Sequence, residues 1–137
     1  MTLRVSAYAL AVTADSTNRF HGAPNPGFTP SMALLQDGDV ITAEFTTTAE
    51  TNSAAGLYAI TINLEDPDGK LPNYAVTTTN GTLSVDPAAL QVVADDATRA
   101  SGQTNPVFTA SYSGVVNGED TNALSGTLTL TSAAETN

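Results

Sequence analysis

An all-β fold of tandem modules is what this sequence predicts, and three observations carry the prediction. The chain repeats itself: a shift of eighty positions lays Leu90 on Leu10, Asp95 on Asp15, Arg99 on Arg19, Gly102 on Gly22, Asn105-Pro106 on Asn25-Pro26, Phe108-Thr109 on Phe28-Thr29 and Gly118 on Gly38. Apolar residues recur at every second position, the period that turns one face of a strand toward a core. No segment shows the 3.6-residue period of a long helix.

Taken in order, Leu10 and Val12 open the first copy as a strand and Leu90 and Val92 open the second. Phe28 and Phe108 follow as matching apolar anchors, and Phe108, Ala110 and Tyr112 alternate with Thr109 and Ser111. Short turns are expected after Gly38 and Gly118, where Asp39 and Asp120 are placed to cap a turn through Ala43 or Leu124. Phe45 with Thr47, and Leu128 with Leu130, mark a further strand whose second face is threonine, a residue with a β-branched stem and a hydroxyl for water. Tyr58, Ile60, Ile62 and Leu64 alternate with Ala59, Thr61 and Asn63 as the strongest strand. Tyr74, Val76 and Thr78, then Asn80-Gly81, then Leu83 and Val85 read as a hairpin closed by a type I′ turn. Tyr58, Ile60, Ile62, Tyr74, Val76, Leu83 and Val85 form the expected core.

Two architectures fit this element list. An immunoglobulin-like β-sandwich is favoured because helix is scarce. The alternative is a β-grasp-like sheet with one short helix lying across it. Either way the modules divide near Asp86-Pro87, a pair with no strand propensity: residues 1–87 form one complete module and residues 88–137 the first part of a second, truncated one. The ending Ala134-Glu135-Thr136-Asn137 matches Ala49-Glu50-Thr51-Asn52 at a shift of eighty-five, and nothing in the second copy corresponds to Gly56–Leu64 or Tyr74–Val85. The chain is therefore expected to be a piece of a longer protein, its second copy either disordered in isolation or ordered by contacts with another chain.

Composition narrows the class. Four Lys and Arg residues face fourteen Asp and Glu, for a net charge of −10. Nucleic acid and anionic membranes are thereby excluded as partners, since neither phosphate neutralisation nor lipid attraction is available. There is no cysteine, so each small module must hold its core without disulfides. The start Met1-Thr2-Leu3-Arg4-Val5 lacks the apolar run of a secretion signal, and no stretch reaches the roughly 18 apolar residues of a membrane helix.

Reactive constellations are missing from the sequence. One histidine and no cysteine leave no zinc cluster and no Cys/His pair, so no catalytic, cofactor or metal residue is assigned and the chain is read as a non-enzyme. His21 stands in a Gly/Pro-rich loop, where a turn role explains it. Carboxylates gather at Asp37-Gly38-Asp39, Asp66-Pro67-Asp68-Gly69 and Asp95-Asp96. Calcium takes six to eight oxygens, and Asp66 with Asp68 is the best candidate for it, followed by Asp37 with Asp39. Asp and Gly making turns is the simpler account of all three. Tyr58, Tyr74, Phe45 and Phe108 fall on the apolar side of strands, while Tyr8 and Phe20 have no such explanation. Asn80-Gly81-Thr82 matches the N-glycosylation pattern, but the expected turn accounts for it.

The stretch Ala94-Asp95-Asp96-Ala97-Thr98-Arg99, then Gly102 through Gly114, then Val116-Asn117-Gly118, resembles the MBG domain of large bacterial surface and secreted repeat proteins. The first copy is similar to the same domain and adds its later half, Gly56 to Ile62 and Asn73-Tyr74-Ala75-Val76 leading to Asn80-Gly81-Thr82-Leu83-Ser84-Val85. Where the family type carries Tyr before the first Gly of the motif, this sequence has His21 and Ser101. The resemblance implies a spacer or cell-surface module of exported, multi-domain, adhesin-like proteins, with no catalytic residues. A structural spacer or stalk repeat that meets neighbouring repeats of its own protein is the expected role. Its rivals are a ligand-binding adhesin module for glycan or protein, and a filament subunit or homo-oligomer completed by strand exchange through the second module.

Overall fold

A computed structural model describes residues 1–33, 35–36 and 38–135. Asp37, one of the calcium candidates, and Thr136-Asn137 of the repeated ending lie outside the described residues. The chain divides into two compact units, Met1–Pro87 and Ala88–Asn137.

The first unit is built from β1 (Tyr8–Ala14), β2 (Thr17–Phe20), β3 (Pro30–Ala33), β4 (Thr42–Thr47), β5 (Gly56–Glu65), β6 (Tyr74–Thr79) and β7 (Gly81–Asp86). They make two sheets, one ordered β3-β1-β6 and the other β2-β7-β5-β4. The alternation read from the sequence holds in β1, β5 and β7 and fails in β6, where Tyr74 alone is buried. Leu10, Val12 and Ala14 of β1 are buried while Ala9, Ala11 and Thr13 between them are exposed, and Ile60 is buried between exposed Ala59 and Thr61. Leu10 and Val12 cluster with Ile41 and Tyr74 beneath Ile62, Leu64 and Leu71, whereas Ile60, Leu83 and Val85 cluster with Ala14 and Ala49. The burial of these side chains is the main favourable term in the unit's stability.

Three expectations change. Tyr74–Thr79 and Gly81–Asp86 are not a hairpin: β6 pairs parallel with β1, while β7 pairs antiparallel with β5 and parallel with β2. The chain steps from one sheet to the other at Asn80, and neither Asn80 nor Gly81 has the positive φ that a type I′ turn requires. Val76, expected in the core, is 39 % exposed because β6 is the edge strand of its sheet. Asp39 caps no helical turn, and its carboxylate accepts the Tyr74 hydroxyl at 2.6 Å instead.

The step between sheets is made twice, side by side. β1 passes to β2 at Asp15-Ser16 and β6 passes to β7 at Asn80, with one register throughout: Thr13 lies opposite Thr79, and Thr17 opposite Leu83. At the crossing the Thr82 amide donates to Ser16 Oγ at 3.0 Å, across the same separation of 66 residues. Gly81 is required there, since a Cβ on it would stand 2.7 Å from the carbonyl oxygens of Ala14 and Asp15.

In the second unit β8 (Gln91–Ala94) pairs antiparallel with β9 (Ala110–Ser113). The register, Val92 opposite Tyr112, is that of β1 and β3, Val12 opposite Met32, moved along the repeat. The expected turn after Gly118 forms as a 3-10 turn at Thr121–Ala123, with the Asp120 carboxylate accepting the Asn122 amide at 2.8 Å. Among the described residues this turn and another at Leu71–Asn73 are the only helical elements, so no helix crosses a sheet as the β-grasp alternative required.

Candidate functional site

β2 inverts the usual pattern, for Arg19 faces inward and is 6 % exposed while Phe20 faces solvent. A buried guanidinium needs its donors satisfied. Arg19 Nε donates to Asn25 Oδ1 at 2.7 Å, Nη1 to the Phe20 carbonyl at 3.1 Å, and Nη2 to the Glu50 carbonyl. Asn25 in turn donates from Nδ2 to the Ala49 carbonyl at 2.6 Å. The result is a clasp tying β2 and the loop after it to the segment that follows β4. Gly22, at φ 87°, gives the tight return that brings Asn25 back to the guanidinium.

The same clasp is built again in the second unit. Arg99 Nε donates to Asn105 Oδ1 at 2.6 Å, Nη1 to the Ala100 carbonyl at 3.4 Å, and Nη2 to the Glu135 carbonyl; Asn105 Nδ2 donates to the Ala134 carbonyl at 3.0 Å. Gly102 repeats the return with φ 81°. Reading the residues one by one for chemistry missed this pair, yet its signal lay in the repeat: Arg, Gly, Asn and the Ala-Glu pair recur together at the two shifts.

The acidic turns do backbone work. Asp66 accepts the amides of Lys70 and Leu71, each at 2.8 Å on a different carboxylate oxygen, while Asp68 is exposed. Asp95 accepts Ser111 Oγ at 2.6 Å and Thr109 Oγ1 at 2.7 Å, and these bonds hold its carboxyl below the usual range. Asp86 is lowered likewise, first by Asn18 Nδ2 and then by the Ser84 hydroxyl. Among the described residues no three His, Cys, Asp or Glu side chains converge as a metal-holding group. His21 Nδ1 meets the Ser53 carbonyl at 2.9 Å and its own amide donates to the Asp86 carbonyl at 2.7 Å, so the side chain that stands in the motif's tyrosine position pins a loop.

Each unit also carries a concavity. One, of about 500 Å³, lies in the first unit beside Tyr8, Asp39, Pro72 and Tyr74. Tyr8 is exposed, with its ring 6.4 Å from that of Tyr74 and tilted by 46°. Tyr74 donates to Asp39, which raises its phenol above the ordinary value, and its oxygen accepts the Gln36 amide at 2.9 Å. The other, of about 330 Å³, lies in the second unit and is lined by Leu90, Val92, Tyr112, Leu124 and Leu128. Phe20 is exposed and lines neither.

Two sheets, a buried clasp across the β2-β7-β5-β4 sheet, and the recurrence of that clasp and of the β1–β3 ladder further along the chain define a β-rich repeat-domain protein. The family model for the MBG domain (YGX type) matches residues 10–84 and again residues 90–137, and the chain belongs to that family. Members are repeat domains of surface-type proteins, and the family is not a known enzyme family. No helix among the described residues is long and apolar enough to cross a membrane. No curated protein and no solved structure matches the chain.

Proposed function

We propose that the chain is a non-catalytic spacer repeat of a bacterial extracellular, adhesin-like surface protein, holding other domains away from the cell and meeting neighbouring repeats of its own kind. The observation that carries this reading is what the repeat preserves. Arg19 and Arg99, Asn25 and Asn105, and Gly22 and Gly102 bind backbone to backbone, and none of them points a reactive group at a cavity. A β-rich module of roughly 85 residues can sustain its own core, and repetition of such modules supplies length. The test joins light scattering to a glycan screen of the whole chain. A spacer gives a constant monomer mass and no saturable glycan signal, whereas a dose-dependent hit would replace this reading with a glycan-binding adhesin.

The proposed spacer needs no calcium. Asp66 spends its carboxylate on the Lys70 and Leu71 amides, and among the described residues no three carboxylates converge, so millimolar Ca²⁺ is expected to leave the melting temperature unchanged. A rise abolished by Asp68→Asn would reveal a site, because a ligand bound only by the folded state stabilises it by mass action.

A further inference from the structure

Tyr8 opens β1 but joins neither core cluster, and it is 55 % exposed. Its ring lies 6.4 Å from that of Tyr74, and both line the concavity of about 500 Å³ in the first unit. Asp39 lines it as well. The Tyr74 hydroxyl donates to Asp39 Oδ2 at 2.6 Å and accepts the Gln36 amide at 2.9 Å, so ring and carboxylate are held in one arrangement. Two aromatic rings beside a fixed negative charge have the chemistry of a cation site, because the ring faces attract positive charge and the carboxylate neutralises it. The unit does not supply that cation itself: among the described residues neither Arg4 nor Lys70 lines the concavity, and Arg19 is spent in its clasp.

We propose that this concavity binds a lysine side chain presented by a basic partner protein. Its lining selects among cations. Val5, Ala7 and Pro72 give an apolar wall along which a lysine stem can lie while its head stays polar. An ammonium donates three hydrogen bonds, and Asp39, Gln36 and Asn73 carry acceptors for them. A guanidinium matches a two-pronged carboxylate, but one prong of Asp39 is already on Tyr74. A quaternary ammonium donates nothing and relies on rings around it, and among the described residues the lining holds only those of Tyr8 and Tyr74. The net charge of −10 draws in a basic partner and repels a second copy of this chain. A spacer repeat can carry such a site with its own role unchanged.

The test titrates the isotope-labelled 137-residue chain with N-acetyl-lysine methylamide, then with its Nε-acetylated form, its arginine counterpart and tetramethylammonium. The lysine compound is expected to give saturable amide shifts at Tyr8, Gln36, Asp39 and Asn73 that added salt weakens. The Nε-acetylated form should be silent and the other two weaker. Tyr8→Phe should keep the affinity, and Tyr8→Ala should lower it by about two- to thirtyfold, the range of a cation–π contact from exposed to desolvated sites. Because Tyr8 is exposed, its truncation leaves the core intact, which unchanged amide positions in the rest of the unit will verify. Asp39→Asn, which keeps an acceptor for the Tyr74 hydroxyl, should remove most of the salt dependence. The proposal is overturned by absence of saturable shifts, by equal binding of any of the other three compounds, by shifts centred on residues 88–135, or by full affinity in Tyr8→Ala.

Discussion

The two copies of the earlier half are nearly one structure, and they differ in what lies against them. Both have the antiparallel ladder, the guanidinium clasp and the glycine return, yet Leu10 is sealed where Leu90 is open. Residues 17–20 are strand β2 because β7 lies beside them, and residues 42–47 are strand β4 because β5 does. Their counterparts, 97–100 and 127–132, carry similar sequence and are not strands, for among the described residues no equivalent of β7 or β5 lies beside them. Ladder and clasp are thus properties of the half alone. Core and outer strands belong to the whole, as expected where extended structure depends on its neighbours more than on propensity.

Matched substitutions can break this contrast. The largest effect is expected at the wall: Leu10→Ala should cost about 2–5 kcal/mol, the range for emptying a packed site, and Leu90→Ala far less because its side chain is already wet. Equal losses in denaturant unfolding followed at probes in each unit would show that the second unit has a closed core. Next is the clasp. Arg19→Ala should cost about 1.5–3 kcal/mol, the worth of a hydrogen bond to a charged group, and Arg19→Lys should not restore it, since an ammonium lacks the planar fork. Arg99→Ala, with its partners exposed, should fall well below that.

A smaller loss is expected at the crossing. Gly81→Ala should cost about 1–3 kcal/mol by forcing its methyl onto the Ala14 and Asp15 carbonyls, with amide exchange quickening in β1, β2, β6 and β7 but not in β8 or β9. Quickening in β8 as well would mean that the units unfold together.

The smallest effects follow pH, through two groups in the first unit and one in the second. The Asp86 and Asp95 carboxyls are held below their ordinary value by hydrogen bonds to the charged form. Their stabilisation is therefore complete above the unfolded value of 3.8 and is lost as pH falls through the lower folded value. Tyr74 is raised, so its contribution is complete below 10.0 and is lost as pH climbs through the folded value. Acid should accordingly loosen both units and alkali the first alone, measured by proton-carbon spectra at each unit's methyl groups. Asn18→Ala should remove part of the acid dependence of the first unit and none of the second.

Period-two alternation made Leu10, Val12, Ile60, Leu83 and Val85 legible as inward residues, because a strand buried on one face writes that face into every second position. Strand partners were not legible in the same way. Asn80-Gly81 has the local chemistry of a hairpin turn, and only the competing partners β1, β2 and β5, distant in sequence, decide that β6 and β7 part there. Val76 was misplaced for a related reason: alternation tells which face a residue lies on but not whether its strand sits at an edge. Arg19 eluded residue-type reasoning since a cation on a four-residue strand reads as solvent-facing, although its recurrence as Arg99 with Asn105 marked it as part of the framework.

The doubled crossing at Asp15-Ser16 and Asn80 has a consequence for force. Residues 8–20 open the first unit and residues 74–86 close it, and the two run parallel along both sheets. A pull applied at the ends of the unit draws Tyr8 one way and Asp86 the other, sliding the two strands past each other along their length. Every rung between them is then loaded in shear at once, whereas an antiparallel pair pulled from one end opens like a zipper, a rung at a time. Each such unit under tension would yield all at once or not at all, with Gly81 at the crossing where a Cβ would meet the Ala14 and Asp15 carbonyls of the other loaded strand.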